Sequence, residues 1–158
     1  METFLRKKYK LIGTKKTKTT KETETFAVDF ASKIKPGKVI GLIGNLGAGK
    51  THFIKGIAKA FGIKKSEIIS PTFGIVREHV YKNVLFYHFD FYRLKDIKEL
   101  EVLGFREYLA NEEAVIAIEW ADKLKECFEY YDFVVKIEHL GGNKREIKMY
   151  KKQHKNEN

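Results

Sequence analysis

The chain has 158 residues, of which 43% are apolar, and it carries a formal net charge of +10. This length predicts one domain. The sequence contains no run of eighteen apolar residues, which would indicate a membrane span, and its N-terminus lacks the apolar stretch of a signal peptide. The single cysteine, Cys127, cannot form an internal disulfide, which favours the reducing cytoplasm. The five histidines do not have the spacing of metal ligands, so with one cysteine a zinc site is improbable.

The positive charge is concentrated at the two ends of the chain. Residues 1–20 carry seven Lys or Arg and one acid, and residues 141–158 carry six and two, whereas residues 21–140 hold eighteen of each sign. Basic ends of this kind can hold RNA electrostatically, or they can act as solubilising tails. The sequence leaves both interpretations open.

The apolar pattern predicts alternating strands and helices. In chain order, the predicted elements are a strand over 6–14, a link over 15–20, a helix over 23–34, a strand over 38–43, a helix over 51–61, a hairpin over 73–80 and 84–89, one or two short helices over 96–110, a strand over 114–118, a helical or loop segment over 121–130, and strands over 133–138 and 145–150. This alternation predicts an α/β domain over residues 1–150 with a mostly parallel central sheet and additional antiparallel strands. The polar residues 151–158 are predicted to form a basic, disordered tail.

The strand over 38–43 leads into Gly44-Asn-Leu-Gly-Ala-Gly-Lys50-Thr51, which matches the phosphate-loop pattern GxxxxGK[ST]. Its glycines allow the backbone amides to turn towards a phosphate. Lys50 is predicted to reach the β- and γ-phosphates, and the Thr51 hydroxyl to ligate Mg²⁺. A glycine-rich turn that binds nothing is disfavoured by the strand before the loop and the helix after it. The predicted nucleotide-binding residues are Gly44, Asn45, Leu46, Gly47, Ala48, Gly49, Lys50, Thr51 and His52.

Two acidic residues close predicted strands. Asp90 ends the apolar-rich run from Val84, and Glu119 ends the run from Ala114. Because ligands of α/β sheets bind beyond the carboxyl ends of the strands, either carboxylate is predicted to hold the metal or to orient the attacking water. The alternative for both is a cap on the following helix.

The tetrapeptide Ser70-Pro71-Thr72-Phe73 lies between the loop helix and the strand of Asp90. In nucleotide switches, a Thr or Ser in this region contacts the γ-phosphate or Mg²⁺, which makes Thr72 a candidate; on its own, the tetrapeptide is typical of a turn. His88 lies two residues before Asp90 and faces the same side of the strand. We interpret it as a packed histidine rather than a catalytic one.

Taken together, these motifs resemble the TsaE (YjeE) family of bacterial ATPases, which serve threonylcarbamoyladenosine modification of tRNA. The resemblance covers roughly residues 20–150 and is more specific than the phosphate loop alone, because the motifs also match in order and spacing. The matching segments are GNLGAGKT at 44–51, SPTFGIV at 70–76, YHFDFYRL at 87–94, ELEVLGFREYL at 99–109 and AIEWAD at 117–122.

The resemblance implies a small three-layer P-loop domain that hydrolyses ATP slowly with Mg²⁺. It implies that this activity depends on the TsaD–TsaB heterodimer, which transfers the threonylcarbamoyl group to the adenosine beside the anticodon in tRNAs that read codons starting with A. The ATPase would reset or reorganise that complex between turnovers. It would contact tRNA directly or through the complex, and no membrane would be involved.

Several site residues follow from the resemblance alone. Asp90 is expected near Mg²⁺ and the attacking water, Glu119 as a metal-site residue, and Trp120 as a side chain packed at that site. Thr25 of the first predicted helix and the late Arg145 are expected near the nucleotide. Three positions depart from the family pattern: Asn45 replaces Asp, His52 replaces Thr or Ser, and Ala121 replaces Pro. They remove no metal ligand, but they leave the hydrolysis rate and the nucleotide preference open.

Two other functions stay open at this point. A small-molecule P-loop kinase would use the same loop, although residues 95–113 hold only Arg106 where such a kinase carries an arginine-rich lid. A nucleotide-dependent binding module would use ATP to control docking, with hydrolysis incidental. ATP-dependent phosphorylation of a metabolite would identify the kinase, and tRNA modification that persists in Glu119→Ala would identify the binding module.

Overall fold

The computed structural model describes residues 1–71 and 74–154. Its helices and strands, in chain order, are α1 (Glu2–Lys8), β1 (Tyr9–Thr17), α2 (Thr20–Ala31), β2 (Val39–Ile43), α3 (Lys50–Ala60), β3 (Val76–Tyr81), β4 (Val84–Asp90), α4 (Ile97–Leu103), α5 (Phe105–Leu109), β5 (Ala114–Glu119), β6 (Phe133–His139) and β7 (Arg145–Lys152). Short 3₁₀ helices lie at Lys65–Glu67 and Lys125–Glu129. Within the described ranges, no helix is long and apolar enough to cross a membrane.

The strands form one mixed sheet in the order β1-β7-β6-β2-β5-β4-β3. The four central strands are parallel, through the pairs β2–β6, β2–β5 and β4–β5. The outer pairs β1–β7, β6–β7 and β3–β4 are antiparallel. The structure therefore confirms the predicted α/β sheet with a parallel centre and antiparallel additions.

Helices cover both faces of the sheet and make three layers. Helices α2 and α3 pack over one face, and α1, α4, α5 and the segment after β5 pack over the other. Strands β2 and β5 are buried at every position, as expected for parallel strands that helices cover on both faces. Gly56 of α3 lies directly against the backbone carbonyl of Glu24 and the side chain of Ala27, so only glycine allows this close approach of α2 and α3.

The largest differences from the predicted elements lie at the two ends of the chain. Helix α1 was not predicted, and β1 runs to Thr17, through part of the expected link, because its backbone pairs with β7 along its length. Strand β7 also includes Lys151 and Lys152, which the sequence assigns to a disordered tail. The amide of Lys152 donates to the carbonyl of Asp132 at 2.8 Å, and this pairing orders the two residues.

Candidate nucleotide-binding site

The glycines of the phosphate loop are required for two physical reasons, backbone conformation and close packing. Gly47 and Gly49 have φ angles of 75° and 106°, in the left-handed region that favours glycine. A Cβ on Gly44 would lie 2.5 Å from the carbonyl oxygen of Ile137 and 2.9 Å from Cβ of Ala48. Gly49 is also the N-cap of α3, so the loop amides and the positive end of the helix dipole lie together. This is the arrangement that binds a phosphate group.

Lys50 lies inside the site and is 4% exposed. Its Nζ donates to the carbonyl oxygens of Gly44 at 2.5 Å and Asn45 at 3.0 Å. The same ammonium lies 3.9 Å from the centroid of the Trp120 ring, a cation–π contact. Burial lowers the pKa of Lys50, and the negative charge of Glu119 is the largest of the effects that offset it. The lysine is therefore held over its own loop by contacts that a phosphate can replace.

The sheet register brings the two predicted acids together. Leu42, two residues before the loop begins, is the register partner of Glu119 in β5, and Glu119 is in turn the partner of Asp90 in β4. Because the three strands are parallel, their carboxyl ends reach the same edge of the sheet. The loop, Glu119 and Asp90 therefore meet in one cleft, although they are far apart along the chain.

Glu119 is the centre of a hydrogen-bond network. Its Oε1 accepts from the hydroxyls of Thr51 and Ser70 and lies near Nε2 of His88, each at 2.9 Å. The Thr51 and Ser70 hydroxyls are themselves 3.0 Å apart. Burial would raise the pKa of Glu119, but the hydrogen bonds from His88, Thr51 and Ser70 outweigh it, so the pKa lies below its ordinary value. The carboxylate is thus kept ionised beside the hydroxyl that is predicted to ligate Mg²⁺.

His88 acts on the site through Glu119. The side chain is fully buried, and its Nε2 must carry the proton because a carboxylate oxygen accepts. Its Nδ1 is buried and has no hydrogen-bond partner among the described residues. Glu119 is therefore the single polar anchor of the imidazole within that part of the chain, and the imidazole in turn fixes the position of Oε1.

Asp90 differs from Glu119 in environment. One of its oxygens accepts from the backbone amide of Tyr92 at 2.9 Å, which turns the chain sharply after β4. Burial raises the pKa of Asp90; the hydrogen bond from Tyr92 offsets part of the rise, and the negative charge of Glu119 adds to it. The two neighbouring carboxylates therefore have pKa values shifted in opposite directions, as in sites where one acid stays charged and the other handles protons.

Trp120 occupies the corner after β5 with a φ of 55°, which is rare for a residue that is not glycine. Its ring packs on Tyr92 with centroids 4.9 Å apart. The amide of the next residue, Ala121, donates to the carbonyl of Leu42 at 3.1 Å. A strained backbone of this kind is found mostly at functional sites, where the surrounding structure holds it in place. Here it holds the indole against Lys50.

Residues 17–147 match the family model described as "Threonylcarbamoyl adenosine biosynthesis protein TsaE". This chain belongs to the TsaE family. Relatives named "tRNA threonylcarbamoyladenosine biosynthesis protein TsaE" include one from Rickettsia typhi, 41% identical over 79% of this chain and 85% of the relative. Another, from Bacillus subtilis, is 40% identical over 80% of this chain and 77% of the relative. A crystal structure of Bacillus subtilis YdiB has a TM-score of 0.68, is 30% identical, and covers 92% of this chain and 88% of its own.

Most of the residues expected from the TsaE resemblance line one cleft of about 440 Å³, which we call the loop cleft. Its lining residues are Leu46, Gly47, Gly49, Lys50, Thr51, His52, Ser70, Asp90, Tyr92, Glu119, Trp120 and Arg145. Arg145, at the start of β7, lies over the loop, with its Nε 3.2 Å from where a Cβ on Gly49 would be. His52 reaches out of the cleft to Glu24 of α2, at 3.2 Å from Nδ1 to Oε1. Gly44 and Asn45 line an adjoining pocket, and Ala48 is buried beneath the loop.

Thr25, which the TsaE resemblance places near the nucleotide, does not line the loop cleft. Thr25 is exposed on α2, where its hydroxyl donates to the carbonyl of Lys21 at 2.9 Å, and it lines a separate groove between α2 and α3. Its contact with a nucleotide stays a prediction. Thr72 lies outside the described residues.

Sequence reasoning missed parts of this TsaE-family site. Ser70 belongs to the tetrapeptide singled out in the sequence but was not itself predicted as a site residue, and its hydroxyl donates to Glu119. Tyr92 was not predicted as a site residue, yet it is 51% exposed and lines the cleft. For His88, alternation with Asp90 was the available signal, and only the pairing of β4 with β5 shows its partner.

Proposed function

We propose that this chain binds ATP with Mg²⁺ and hydrolyses it slowly, as the ATPase subunit of tRNA threonylcarbamoyladenosine biosynthesis, acting with the TsaD–TsaB heterodimer. The observation that carries the proposal is the 2.9 Å hydrogen bond between Thr51 of the phosphate loop and Glu119 at the end of β5. It links the element that would hold phosphates to the element that would hold the metal. A loop that only stabilised a turn would need no such partner.

Binding would use the loop and Lys50. The amides of residues 44–50 would face the β- and γ-phosphates, while Lys50 would exchange the carbonyls of Gly44 and Asn45 for phosphate oxygens. Those carbonyl contacts already orient the ammonium within the cleft. The lysine therefore moves only a short distance, because Trp120 keeps it desolvated and close to the loop. Arg145 would add a second positive charge beside Gly49.

The oxygens of Thr51, Glu119 and Asp90 suit Mg²⁺, which prefers one or two carboxylates and completes its shell with water and phosphate. Within the described ranges, no group of three His, Cys, Asp or Glu side chains could hold a metal, so an ion bound through nucleotide phosphates fits better than a resident one. Mg²⁺ would neutralise charge that develops on the phosphate oxygens. Glu119, held ionised, would ligate it, and Asp90, with its raised pKa, would orient the attacking water.

The assignment to tRNA modification rests on the relatives, whose names state that role. The partnership with TsaD–TsaB, the dependence of turnover on it and a cytoplasmic location belong to the proposal. A separate binding-module function would need ATP in the same cleft but no hydrolysis. Glu119→Ala distinguishes the two, because loss of tRNA modification in cells carrying that variant excludes a module whose hydrolysis is incidental.

The test is ATP turnover by the purified chain, alone and with TsaD–TsaB, for wild type, Lys50→Ala and Lys59→Ala. Lys59 is the matched control, because it lies on the same helix but is exposed and outside the loop cleft. We expect the partners to stimulate wild type and Lys59→Ala alike, and Lys50→Ala to lose about 10²-fold or more. Turnover without stimulation would contradict the partnership. A phosphorylated metabolite found in a kinase screen would replace the proposed function.

A further inference from the structure

The two basic ends of the chain meet in one groove. Strands β1 and β7 are antiparallel, so Tyr9 faces Lys152 and Lys10 faces Lys151. A groove of about 830 Å³ lies along this pair, which we call the terminal groove. Its positively charged lining residues are Lys7, Lys8, Lys10, Lys151 and Lys152. A single acid, Glu129, also lines it. Basic residues from both ends of the chain therefore meet on one surface.

The lysines of the terminal groove differ from other lysines on β1 and β7, which form ion pairs with acidic side chains. On the same two strands, Lys16 pairs with Glu146 at 3.8 Å and Lys148 with Glu2 at 3.3 Å. No lysine of the terminal groove forms an ion pair with another described residue. Lys152 instead donates to the backbone carbonyl of Glu129.

One pair in the terminal groove is unfavourable by itself. Lys10 and Lys151 are direct register partners, and like charges directly opposite each other destabilise a sheet. Both side chains are exposed, so they can reach a ligand without changing the strands. A surface that holds like charges together in this way is suited to an anion that bridges them.

We propose that the terminal groove binds the phosphate backbone of RNA. Lys10, Lys151 and Lys152 lie on two neighbouring strands, and Lys7 and Lys8 lie at the end of α1. The groove therefore presents several cations rather than one point, which suits a polymer of phosphates better than a single small anion. Among the described residues, none of the exposed large apolar side chains lines the groove; they are Met1, Ile12, Leu46, Ile69, Val80, Tyr81, Tyr92, Val102 and Leu140. The surface therefore lacks the apolar anchors of a membrane-binding site.

Binding of this kind depends on charge and not on sequence. Lysine contacts to phosphates position a nucleic acid without reading its bases. Each contact lowers the slope of log affinity against log salt by about 0.7 to 0.9. The proposed function enters only in the choice of tRNA as the RNA to test, because the groove lies on different residues from the loop cleft.

The experiment measures binding of a tRNA transcript to the full chain, without nucleotide or partners, from about 50 to 200 mM salt. The groove variant carries Lys7→Gln, Lys8→Gln, Lys10→Gln and Lys151→Gln. Its matched control carries Lys21→Gln, Lys55→Gln, Lys59→Gln and Lys64→Gln, which removes the same charge from the groove between α2 and α3. We expect the slope to become shallower by about 3 in the groove variant and by less than about 1 in the control.

A second variant guards against loss of folding. Lys10→Gln with Lys151→Gln removes the like-charge pair, so its thermal midpoint should equal or exceed that of wild type. Its slope should become shallower by about 1.5. An unchanged slope in this well-folded variant would overturn the proposal.

Three further outcomes would also overturn it. The first is no binding of tRNA by wild type at the lowest salt. The second is an equal change of slope in the groove variant and its control. The third is binding to phosphatidylglycerol vesicles without binding to tRNA.

ATP turnover with TsaD–TsaB is measured on the same proteins, so that failure of the groove proposal and failure of the proposed function can be told apart. Wild type that turns over ATP but does not bind tRNA refutes the terminal groove alone. Wild type that binds tRNA through the groove but shows no stimulated turnover refutes the proposed function alone.

Discussion

The loop cleft and the terminal groove both contain charged side chains, but these side chains differ in their burial and in their bonding partners. In the loop cleft, Glu119 accepts three short hydrogen bonds and Lys50 donates to two loop carbonyls. In the terminal groove, Lys10 and Lys151 face each other, and neither forms an ion pair with another residue that the structure describes. Lys50 and Glu119 of the loop cleft are buried and hydrogen-bonded within the site, whereas the charged groups of the terminal groove are mostly exposed and form no ion pair within the described part of the chain.

This difference separates two kinds of binding. Groups that are fixed by hydrogen bonds before a ligand arrives need no reorganisation during the reaction, which is what chemistry on a phosphate requires. Unpaired surface lysines fix no geometry, but they release counterions when a polyanion binds. The variants below should therefore affect the loop cleft through geometry and the terminal groove through charge alone.

The largest effect is expected from Glu119→Gln. The substitution keeps the size of the side chain but removes its negative charge, so the three hydrogen bonds to Oε1 lose their charge assistance and Mg²⁺ would lose an anionic ligand. We expect partner-stimulated ATP turnover to fall by about 10²-fold or more. Glu129→Gln, at the terminal groove, is the control and should leave turnover within about twofold, as expected for a surface change. Equal turnover in both variants would remove Glu119 from the reaction.

A smaller loss is expected when His88 is replaced, because its side chain reaches the site through its hydrogen bond to Glu119. His88→Ala should lower kcat about tenfold, in the range found for residues that orient metal ligands, with little change in KM for ATP. His88→Gln can still donate a hydrogen bond to Oε1 and should recover most of the activity. Steady-state kinetics of both variants over a range of Mg²⁺ concentrations measures this. The absence of rescue by Gln would show that the imidazole matters for another reason.

Asp90 provides a test of stability against pH. Its pKa is raised in the folded state, so its ionised form destabilises the fold above that pKa, and this penalty disappears as the pH falls below the ordinary value of 3.8. Asp90→Asn should therefore be more stable than wild type near neutral pH and equal to it in acid.

Glu119→Gln should show the opposite trend from Asp90→Asn. The pKa of Glu119 is lowered by folding, so its contribution stabilises wild type above the ordinary value of 4.5 and is lost as the pH falls through the lowered pKa. Urea unfolding at several pH values, without Mg²⁺ or nucleotide, measures both differences. Parallel pH trends for the two variants would contradict the opposite environments of these neighbours.

The smallest effect is expected at the boundary of the loop cleft. Because the hydroxyl of Thr25 is exposed and bonded within α2, Thr25→Ala should change the free energy of unfolding by less than about 0.5 kcal/mol. Thr23→Ala is the contrast. Thr23 is buried with its hydroxyl 2.8 Å from that of Thr17, so its loss should cost about 1 kcal/mol. A large fall in ATP affinity in Thr25→Ala would extend the nucleotide site to α2.

The sequence by itself determined the phosphate loop, the α/β alternation and the strands that end at Asp90 and Glu119. These features are local: glycine spacing, apolar runs and acids at strand ends depend on neighbouring residues alone. The limits of the terminal elements were less predictable, because β1 and β7 extend through polar residues that only their pairing holds in place.

The tertiary structure alone decided which residues meet. The register of β2, β5 and β4 places Glu119 beside Thr51 and Asp90, and the same register puts His88 within 2.9 Å of Glu119. The antiparallel pairing of β1 with β7 brings Lys10 opposite Lys151. Contacts between residues far apart in the chain depend on strand order and register, which the packing of the whole sheet sets and no local pattern encodes.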